Sequence, residues 1–542
     1  MTTTEATVGA PPAPRPWLFG PAADLLFGAG LLYVGVFFLQ TFFGAELRAA
    51  VPISAYATIT LALGAPHYGA TLLRVYADRS ERHRYSLVAI HASALLLVVY
   101  VAGLHWPLLG SVLITLYFTI SPWHYSGQNF GVAMLFLRRA QVAVDPVARR
   151  ALQASFVSSF LLVFLALHQA AGGTQQAGGG VQGTIYELTT LGIPRQVASW
   201  LGVGVCVAYL ACLAIFAWRT RAAGIRKLGA GLCVVLSQAL WFSLPMAALL
   251  FRWPLPIDPL APESRAYSFM WIASAHFVQY LWITSYFAVG QAGPLKLGGF
   301  YGRALLAGAT LWFLPLIVFA PGYMGSLPFG MGLALLTTAV VNLHHFALDA
   351  VVWKLREGRV AQILLRGSPP AESAMLAGAW PWLRRAGWVG AALVLGVAVA
   401  AMVERGALES AAGAASIERI EQSARRLAWM GRASPQHDVA VARAHLMRGD
   451  HARALEALDR ADALFPTAAS HRARGDIHAR DRQWREALAA YDAALALDAN
   501  DVAAWQGSAR ALEGLGKPDL AAERRLRAAR VVGGIPSAGY QP

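Results

Sequence analysis

Histidine and aspartate side chains that could bind a metal ion lie within long apolar stretches of this sequence. Ionisable groups are costly inside a membrane and are usually kept there for a function. Imidazole and carboxylate groups together suit non-haem iron and zinc. The ionisable residues found within apolar stretches are Asp24, His67, His91, His124, His276, His344, His345 and Asp349.

The most informative spacing is that of His345 and Asp349, which are four residues apart. On a helix these positions share one face, so both side chains could bind one ion or simply hydrogen-bond to each other. His344 points about 100° away, so one helix cannot easily present both histidines to one ion. Either two metals are bound, or one of the two histidines has a supporting or hydrogen-bonding role.

Several of these residues lie at a similar distance from the basic residues that flank their stretches. With a rise of about 1.5 Å per residue, His67 is about 10 Å from Arg74, and His345 is about 14 Å from Lys354. The residues at a comparable depth are Asp24, His91 and Asp349, with His124 and His276 somewhat deeper. A shared depth on different helices is what a single buried site requires.

We therefore predict a metal centre whose ligands are His67, His124, His276, His345 and Asp349. Asp349 is also a candidate catalytic residue, together with His344, Gln128 and Asn129. The two adjacent amides follow His124 by one turn and need polar partners near mid-membrane, which a cavity or a bound ligand would supply. His91, alone on its stretch, is interpreted as a packing residue.

The composition indicates an all-α polytopic membrane protein and excludes an ordinary soluble enzyme. Hydrophobic residues make up 56% and charged residues 14%, whereas soluble domains carry about 25% charged residues. A membrane span needs about 20 mostly apolar residues. Eleven stretches are predicted to span: 18–43, 51–76, 85–107, 108–137, 151–171, 196–218, 228–251, 267–290, 302–320, 326–353 and 383–403.

The distribution of basic residues predicts the orientation of these spans. The net charge is +15, and Arg and Lys are concentrated in the segments after spans two, four, six and ten. Basic segments between spans usually face the cytoplasm. We therefore attribute the excess of Lys and Arg to membrane topology and do not expect the protein to bind nucleic acid. We expect a multi-pass protein of a bacterial inner membrane with a cytoplasmic N-terminus. An odd number of spans then places the chain after Val403 in the periplasm.

The sequence after Val403 has a different character, with a period near 34 residues. It resembles the tetratricopeptide repeat family over about 435–533. The residues at the repeated offsets are Ala454, Ala461, Pro466, Gly475, Ala487, Tyr491, Ala494, Trp505, Ala521 and Ala528. The resemblance implies a helical solenoid that binds a protein or peptide partner, or one that only packs on its own membrane domain.

The predicted organisation has five segments. They are a flexible N-terminus (1–17), a multi-histidine transmembrane domain (18–403), a connector (404–434), the repeats (435–535) and a flexible tail (536–542).

The single histidines scattered over several spans, His67, His124, His276 and His345, resemble the histidine-rich membrane iron enzymes. The closer group is that of the bacterial carotene dioxygenases of the Brp/Blh type, over at most spans two to ten. The fatty-acid desaturases use boxes such as HxxxH and HxxHH, and this chain has only one adjacent pair. The resemblance implies one iron held by histidines, molecular oxygen and a lipophilic substrate. The pair His344-His345 with Asp349 departs from a four-histidine site.

The leading hypothesis is a metal-dependent enzyme, with iron as the metal, that oxidises or desaturates a lipid or isoprenoid among the membrane lipids. Zinc is the alternative metal. The second class of function is a haem-binding electron-transfer protein in which paired histidines are the axial ligands. The third class is non-catalytic: a transporter or a scaffold that presents the repeats.

Overall fold

The computed structural model describes residues 16–76, 79–170, 175–176, 184–251, 262–292, 297–353, 360, 362–366, 381–413 and 416–532. These residues are mostly helical, which confirms the all-α prediction. Two strands of two residues each, β1 (Gln175–Gln176) and β2 (Glu187–Leu188), form one antiparallel pair.

The helices up to residue 413 form the apolar part of the chain, as their sequence predicts. Numbered in chain order, they are α1 (Pro21–Gly28), α2 (Leu31–Phe42), α3 (Gly44–Ala50), α4 (Ala55–Tyr76), α5 (Arg79–Arg84), α6 (Leu87–His105), α7 (Pro107–Arg139), α8 (Pro146–His168), α9 (Arg195–Thr220), α10 (Ile225–Phe251), α11 (Pro262–Ala292), α12 (Leu297–Val318), α13 (Leu333–Val352) and α14 (Pro381–Gly413). Short turns of other helix types lie at Arg221–Ala223, Phe329–Met331 and Gln362–Arg366.

Several of these helices are long and apolar enough to cross a membrane, which indicates a membrane protein. Within the described residues there are seven such helices. Two bent pairs raise the number to nine if each pair is one span: α1 with α2, bent by 54°, and α3 with α4, bent by 65°. The helices at the predicted spans 108–137 and 267–290, α7 and α11, are not among them. Both carry histidine and amide side chains near their middle.

Two predicted spans differ in shape from a single straight helix. The stretch 326–353 is not one long helix, because Gly332 has a φ of +141° and α13 begins only after it. The first span is interrupted at Gly30, whose φ of +81° lies in the left-handed region that favours glycine. By contrast, α7 continues through Pro122 from Pro107 to Arg139.

The backbones of α4 and α12 lie in direct contact, and glycines make this contact possible. A Cβ atom on Gly69 would lie 1.7 Å from the carbonyl oxygen of Ala304, and one on Gly308 would lie 1.6 Å from that of Ala65. Neither backbone oxygen can move away, so only glycine fits at these two positions. This contact holds α4, which carries His67, in the interior of the bundle.

The tail folds into consecutive helices, α15 (Ile417–Trp429), α16 (Pro435–Met447), α17 (His451–Leu464), α18 (Ala468–Arg480), α19 (Trp484–Leu497), α20 (Val502–Gly514) and α21 (Pro518–Val532). Helices α16 with α17, α18 with α19, and α20 with α21 pack as pairs. Alanines at the repeated offsets, such as Ala454, Ala487 and Ala521, are fully buried where the helices meet. The tail contacts the membrane part where the Tyr323 hydroxyl donates to the carbonyl oxygen of Trp429.

Candidate metal centre

Four helices, α4, α7, α11 and α13, bring four histidines together in the bundle interior. We call His67, His124, His276 and His345 the histidine cluster. His67 is fully buried, and His345 and His276 are 2% and 7% exposed. The chain therefore places imidazoles from helices that are far apart in sequence at one point within the apolar core.

The rings of the histidine cluster are in mutual contact. The centroid of His67 lies 4.4 Å from that of His345 and 4.7 Å from that of His276. The centroid of His124 lies 5.0 Å from that of His276 and 5.2 Å from that of His345. One ligand atom from each of His67, His276 and His345 can be chosen so that all three lie within 4.8 Å of one another. The same holds for His124, His345 and Asp349.

Most nitrogens of the histidine cluster are buried without a hydrogen-bond partner. These are Nδ1 and Nε2 of His67 and the Nε2 atoms of His124, His276 and His345. Buried polar atoms in proteins are nearly always paired, and each exception needs an explanation. Neutral imidazole nitrogens are also the commonest protein ligands of transition metals. Because the two nitrogens of one imidazole point away from each other, each of the four rings can offer one such atom to a given metal ion.

Asp349 lies beside the histidine cluster with its two oxygens in different surroundings. Its Oδ1 accepts hydrogen bonds from the Tyr280 hydroxyl at 2.7 Å and from the Thr71 hydroxyl at 3.2 Å. Its Oδ2 lies 3.4 Å from Nε2 of His345 and 3.9 Å from Nε2 of His124. A carboxylate removed from water needs a positive or hydrogen-bonded partner. Oδ2 is thus the oxygen that is placed to act as a ligand.

Thr71 and Tyr280 support this arrangement, and with Asp349 and Trp353 they form what we call the Asp349 network. The Thr71 hydroxyl lies 3.1 Å from Nδ1 of His345 and 2.5 Å from the Tyr280 hydroxyl. The indole nitrogen of Trp353 donates to the Tyr280 hydroxyl at 3.0 Å. A partner at Nδ1 directs the Nε2 atom of His345 toward the centre, as is usual for metal-binding histidines.

His344 is not brought to the histidine cluster, although it is adjacent to His345. Its Nε2 lies 2.9 Å from the Ser93 hydroxyl and 3.5 Å from the Tyr76 hydroxyl, on another side of α13. The turn of about 100° between successive helical residues explains the separation. Of the two alternatives from the sequence, the geometry fits a hydrogen-bonding role for His344.

The amides of Gln128 and Asn129 find their partners within the protein. Nε2 of Gln128 donates to Gln279 at 2.6 Å, and Nδ2 of Asn129 donates to Gln238 at 2.7 Å. These partners satisfy one donor group on each amide without a bound ligand. Gln128 also lines the large cavity beside Asp349, whereas Asn129 lies on a smaller one next to His276.

Asp24 and His91 lie elsewhere in the structure. The carboxylate of Asp24 accepts hydrogen bonds from the backbone of Leu18 and Phe19 and from the indole of Trp282, so it fastens the segment just before α1 to α11. His91 is exposed, with its Nδ1 3.2 Å from the carbonyl oxygen of Ser86. The comparable depth of these two residues does not bring them to the centre.

A cavity of about 500 Å³ adjoins the histidine cluster between α7, α11 and α13. Four of its lining residues belong to the centre or its network: His124, Asp349, Tyr280 and Trp353. Most of the remaining lining is apolar, including Phe346, whose ring stacks on His124 with a centroid separation of 4.3 Å. A volume of this size and character is typical of a site for a small organic molecule.

Comparison with known proteins finds no matching family model, no matching curated protein and no matching solved structure for this chain. The fold and the site themselves define a class, a helical membrane protein with a candidate multi-histidine metal centre. The buried histidine and aspartate groups could hold a metal ion. The chemistry of the centre follows from its residues and from the cavity beside them.

Proposed function

We propose that this protein is a membrane enzyme that uses a metal ion, iron in first place, to oxidise or desaturate a lipid or isoprenoid. The observation that carries the proposal is the meeting of unpartnered imidazole nitrogens from four helices. Two of these nitrogens, on His124 and His345, lie 3.9 and 3.4 Å from the carboxylate of Asp349. Mixed imidazole and carboxylate donors suit non-haem iron, and zinc is the alternative. The adjoining apolar cavity supports a lipophilic substrate.

The residues that would hold metal form two groups that share His345: His67 and His276 in one, and His124 and Asp349 in the other. A bound iron ion would supply the capacity to bind oxygen and to change oxidation state. The chain supplies the rest. Its helices exclude water from the centre, and the Asp349 network holds a ligand in place. The apolar cavity keeps a hydrocarbon next to His124 and Asp349.

The spacing of the rings favours a metal ion over haem. Four imidazole pairs in the histidine cluster have centroids 4.4–5.2 Å apart at interplanar angles of 60–79°. The centroids of His276 and His345 lie 6.2 Å apart, and the rings of His67 and His124 contact both of them. A haem with two axial histidines needs its flat macrocycle between the two rings. The contacting rings leave no such gap, so a single ion fits this donor set better.

The proposed location is a bacterial inner membrane, with the N-terminus in the cytoplasm and the helical tail in the periplasm. Its support is the concentration of basic residues after alternate predicted spans, together with the odd number of predicted spans. The paired helices of the tail support a repeat-like stack that binds a protein or peptide partner.

The test is the metal content and absorption spectrum of the purified full-length protein beside two neighbouring variants. His345→Ala removes a member of the histidine cluster, whereas His344→Ala removes a histidine of the same helix that lies outside it. We expect about one or two metal ions per chain in wild type and in His344→Ala, and loss of the metal in His345→Ala. Asp349→Asn keeps the side-chain volume and should weaken metal binding.

The outcomes separate the hypotheses. Equal metal content in both alanine variants, with both proteins folded by circular dichroism and gel filtration, would contradict the proposal. A Soret band in wild type would indicate haem instead. A wild-type protein that takes up neither iron nor zinc on reconstitution would leave the histidines with hydrogen-bonding or proton-transfer roles.

A further inference from the structure

The cavity beside the centre is elongated along α7. Its lining on this helix follows one face over four turns, at Ile120, Trp123, His124, Gly127, Gln128, Gly131, Val132 and Leu135. From Ile120 to Leu135 the helix rises about 22 Å. The cavity is therefore a channel that runs along the helix, and it is not a round pocket over the metal ligands.

Glycines on α7 make room for this channel. A Cβ atom at Gly127 or at Gly131 would meet nothing within 4 Å, so no packing contact explains why a side chain is missing at either position. Glycine in the middle of a helix costs about 0.5–1 kcal/mol relative to alanine. Both residues line the cavity, and any larger side chain there would occupy its space.

One side of the channel is open and one end is closed. Gly127 and Ala350 are exposed on neighbouring helices, and Trp123 beside them is 51% exposed. In a membrane, this opening between α7 and α13 faces the lipid chains. At the other end, Leu135 and Leu364 are 0% and 1% exposed. A molecule can thus enter sideways from the lipid and reach a closed apolar end.

The polar groups of the lining begin one turn from Ile120, at His124, and continue with Gln128, Tyr280, Asp349 and Trp353. Seven residues, or about 10 Å of helix, separate Gln128 from Leu135 at the closed end. The lining between Gln128 and the closed end is apolar on α7. A bound molecule would therefore place a long apolar part in the closed end and one point of its length beside His124.

We propose that this channel binds a single flexible hydrocarbon chain of a membrane lipid, which enters between α7 and α13 through the opening at Gly127 and Ala350. The chain lies along α7 with its end near Leu135 and Leu364. The length of hydrocarbon chain that fits into the closed end then determines which of its carbons lies beside His124 and Asp349. The inference rests on the proposed function only in taking this chain as the substrate, because binding itself needs no metal.

The experiment uses the full-length protein in phosphatidylcholine vesicles that contain a trace of a fatty acid with a photoreactive diazirine near its methyl end. After illumination, adducts are mapped by mass spectrometry. We expect them on Val132, Leu135 and Leu364 in wild type. Gly131→Leu should reduce them about fivefold or more, because overpacking a filled site costs about 1–3 kcal/mol.

The matched control is Gly204→Leu on α9. Like the half-buried Gly131, the exposed Gly204 is a helical glycine whose Cβ would meet nothing within 4 Å, and it does not line the channel. This variant should keep the wild-type adducts. Unlabelled oleic acid and geranylgeraniol serve as competitors, and the stronger one tells whether the chain is acyl or isoprenoid.

Three results would overturn the inference: equal labelling of Gly131→Leu and wild type, adducts spread evenly over all lipid-facing helices, or competition by a sterol but by neither flexible chain. Metal content is measured in the same samples. Channel labelling in a protein without metal would contradict the proposed function and leave the chain-binding inference standing. Metal binding without channel labelling would contradict the chain-binding inference and leave the proposed function standing.

Discussion

Thr71 provides the sharpest test of how the centre is held together, because one hydroxyl contacts three of its members. The Oγ1 atom lies 3.1 Å from Nδ1 of His345, 2.5 Å from the Tyr280 hydroxyl and 3.2 Å from Oδ1 of Asp349. Thr71→Val keeps the branched shape of the side chain and removes only the hydroxyl. The ligand atoms themselves stay in the protein.

The expected effect is a weaker metal site in a folded protein. Without the hydroxyl, Nδ1 of His345 loses the partner that fixes the ring orientation and the tautomer. Loss of such a supporting partner typically weakens metal binding about 10- to 100-fold. This corresponds to about 1.4–2.8 kcal/mol. Asp349 keeps its hydrogen bond from Tyr280, so the loss should stay below that caused by His345→Ala.

The assay is competition for the metal between the purified full-length protein and a chelator of known affinity, with iron(II) and zinc(II) in separate series. The control is Thr338→Val on α13, where the hydroxyl donates to the backbone carbonyl of Ala334 at 2.7 Å, within its own helix. Thr338→Val should bind metal as wild type does. If Thr71→Val and Thr338→Val gave the same affinity, the supporting role of Thr71 would be refuted.

Two further predictions concern helix packing. Gly69→Ala should prevent folding of the bundle or abolish metal uptake, because its Cβ would lie 1.7 Å from the carbonyl oxygen of Ala304. The control is Gly302→Ala, where a Cβ would meet open space. This control should behave as wild type in gel filtration and metal analysis. Gly507→Ala should lower the free energy of unfolding of the tail by about 1–3 kcal/mol, and with it the unfolding temperature. The reason is that its Cβ would lie 2.4 Å from the ring of Tyr491. An unchanged thermal transition would contradict this packing.

Much of the centre could be predicted from residue types and helical periodicity. Ionisable groups in apolar stretches identified His67, His124, His276 and His345 as a set, and the spacing of four residues added Asp349. Local geometry also separated His344 from its neighbour. These inferences needed only the rise and the turn of a helix.

The partners of the polar groups could not be predicted in this way, because they depend on helix packing. Gln128 pairs with Gln279, which is 151 residues away, and Asn129 pairs with Gln238, 109 residues away. No periodicity links such residues before the helices are assembled. Depth alone was also insufficient. Asp24 lies at a depth similar to that of the ligands and fastens the N-terminal segment instead.

One signal in the sequence would have found the supporting residues. Each member of the histidine cluster is followed four residues later by a polar side chain, in the pairs His67 and Thr71, His124 and Gln128, His276 and Tyr280, and His345 and Asp349. Positions i and i+4 lie one above the other on a helix face. The pairs therefore form two layers, a layer of imidazoles and a layer of supporting groups one turn away.

The contacts show that the layers are in register. His67 touches both His276 and His345, and Thr71 touches both Tyr280 and Asp349. Contacts in both layers require that α4, α11 and α13 run in the same direction, as alternate membrane spans do. His91 and His344, by contrast, are followed at i+4 by Leu95 and Leu348, and neither joins the cluster. A histidine in this bundle thus belongs to the centre when its own helix also supplies a polar group one turn further on.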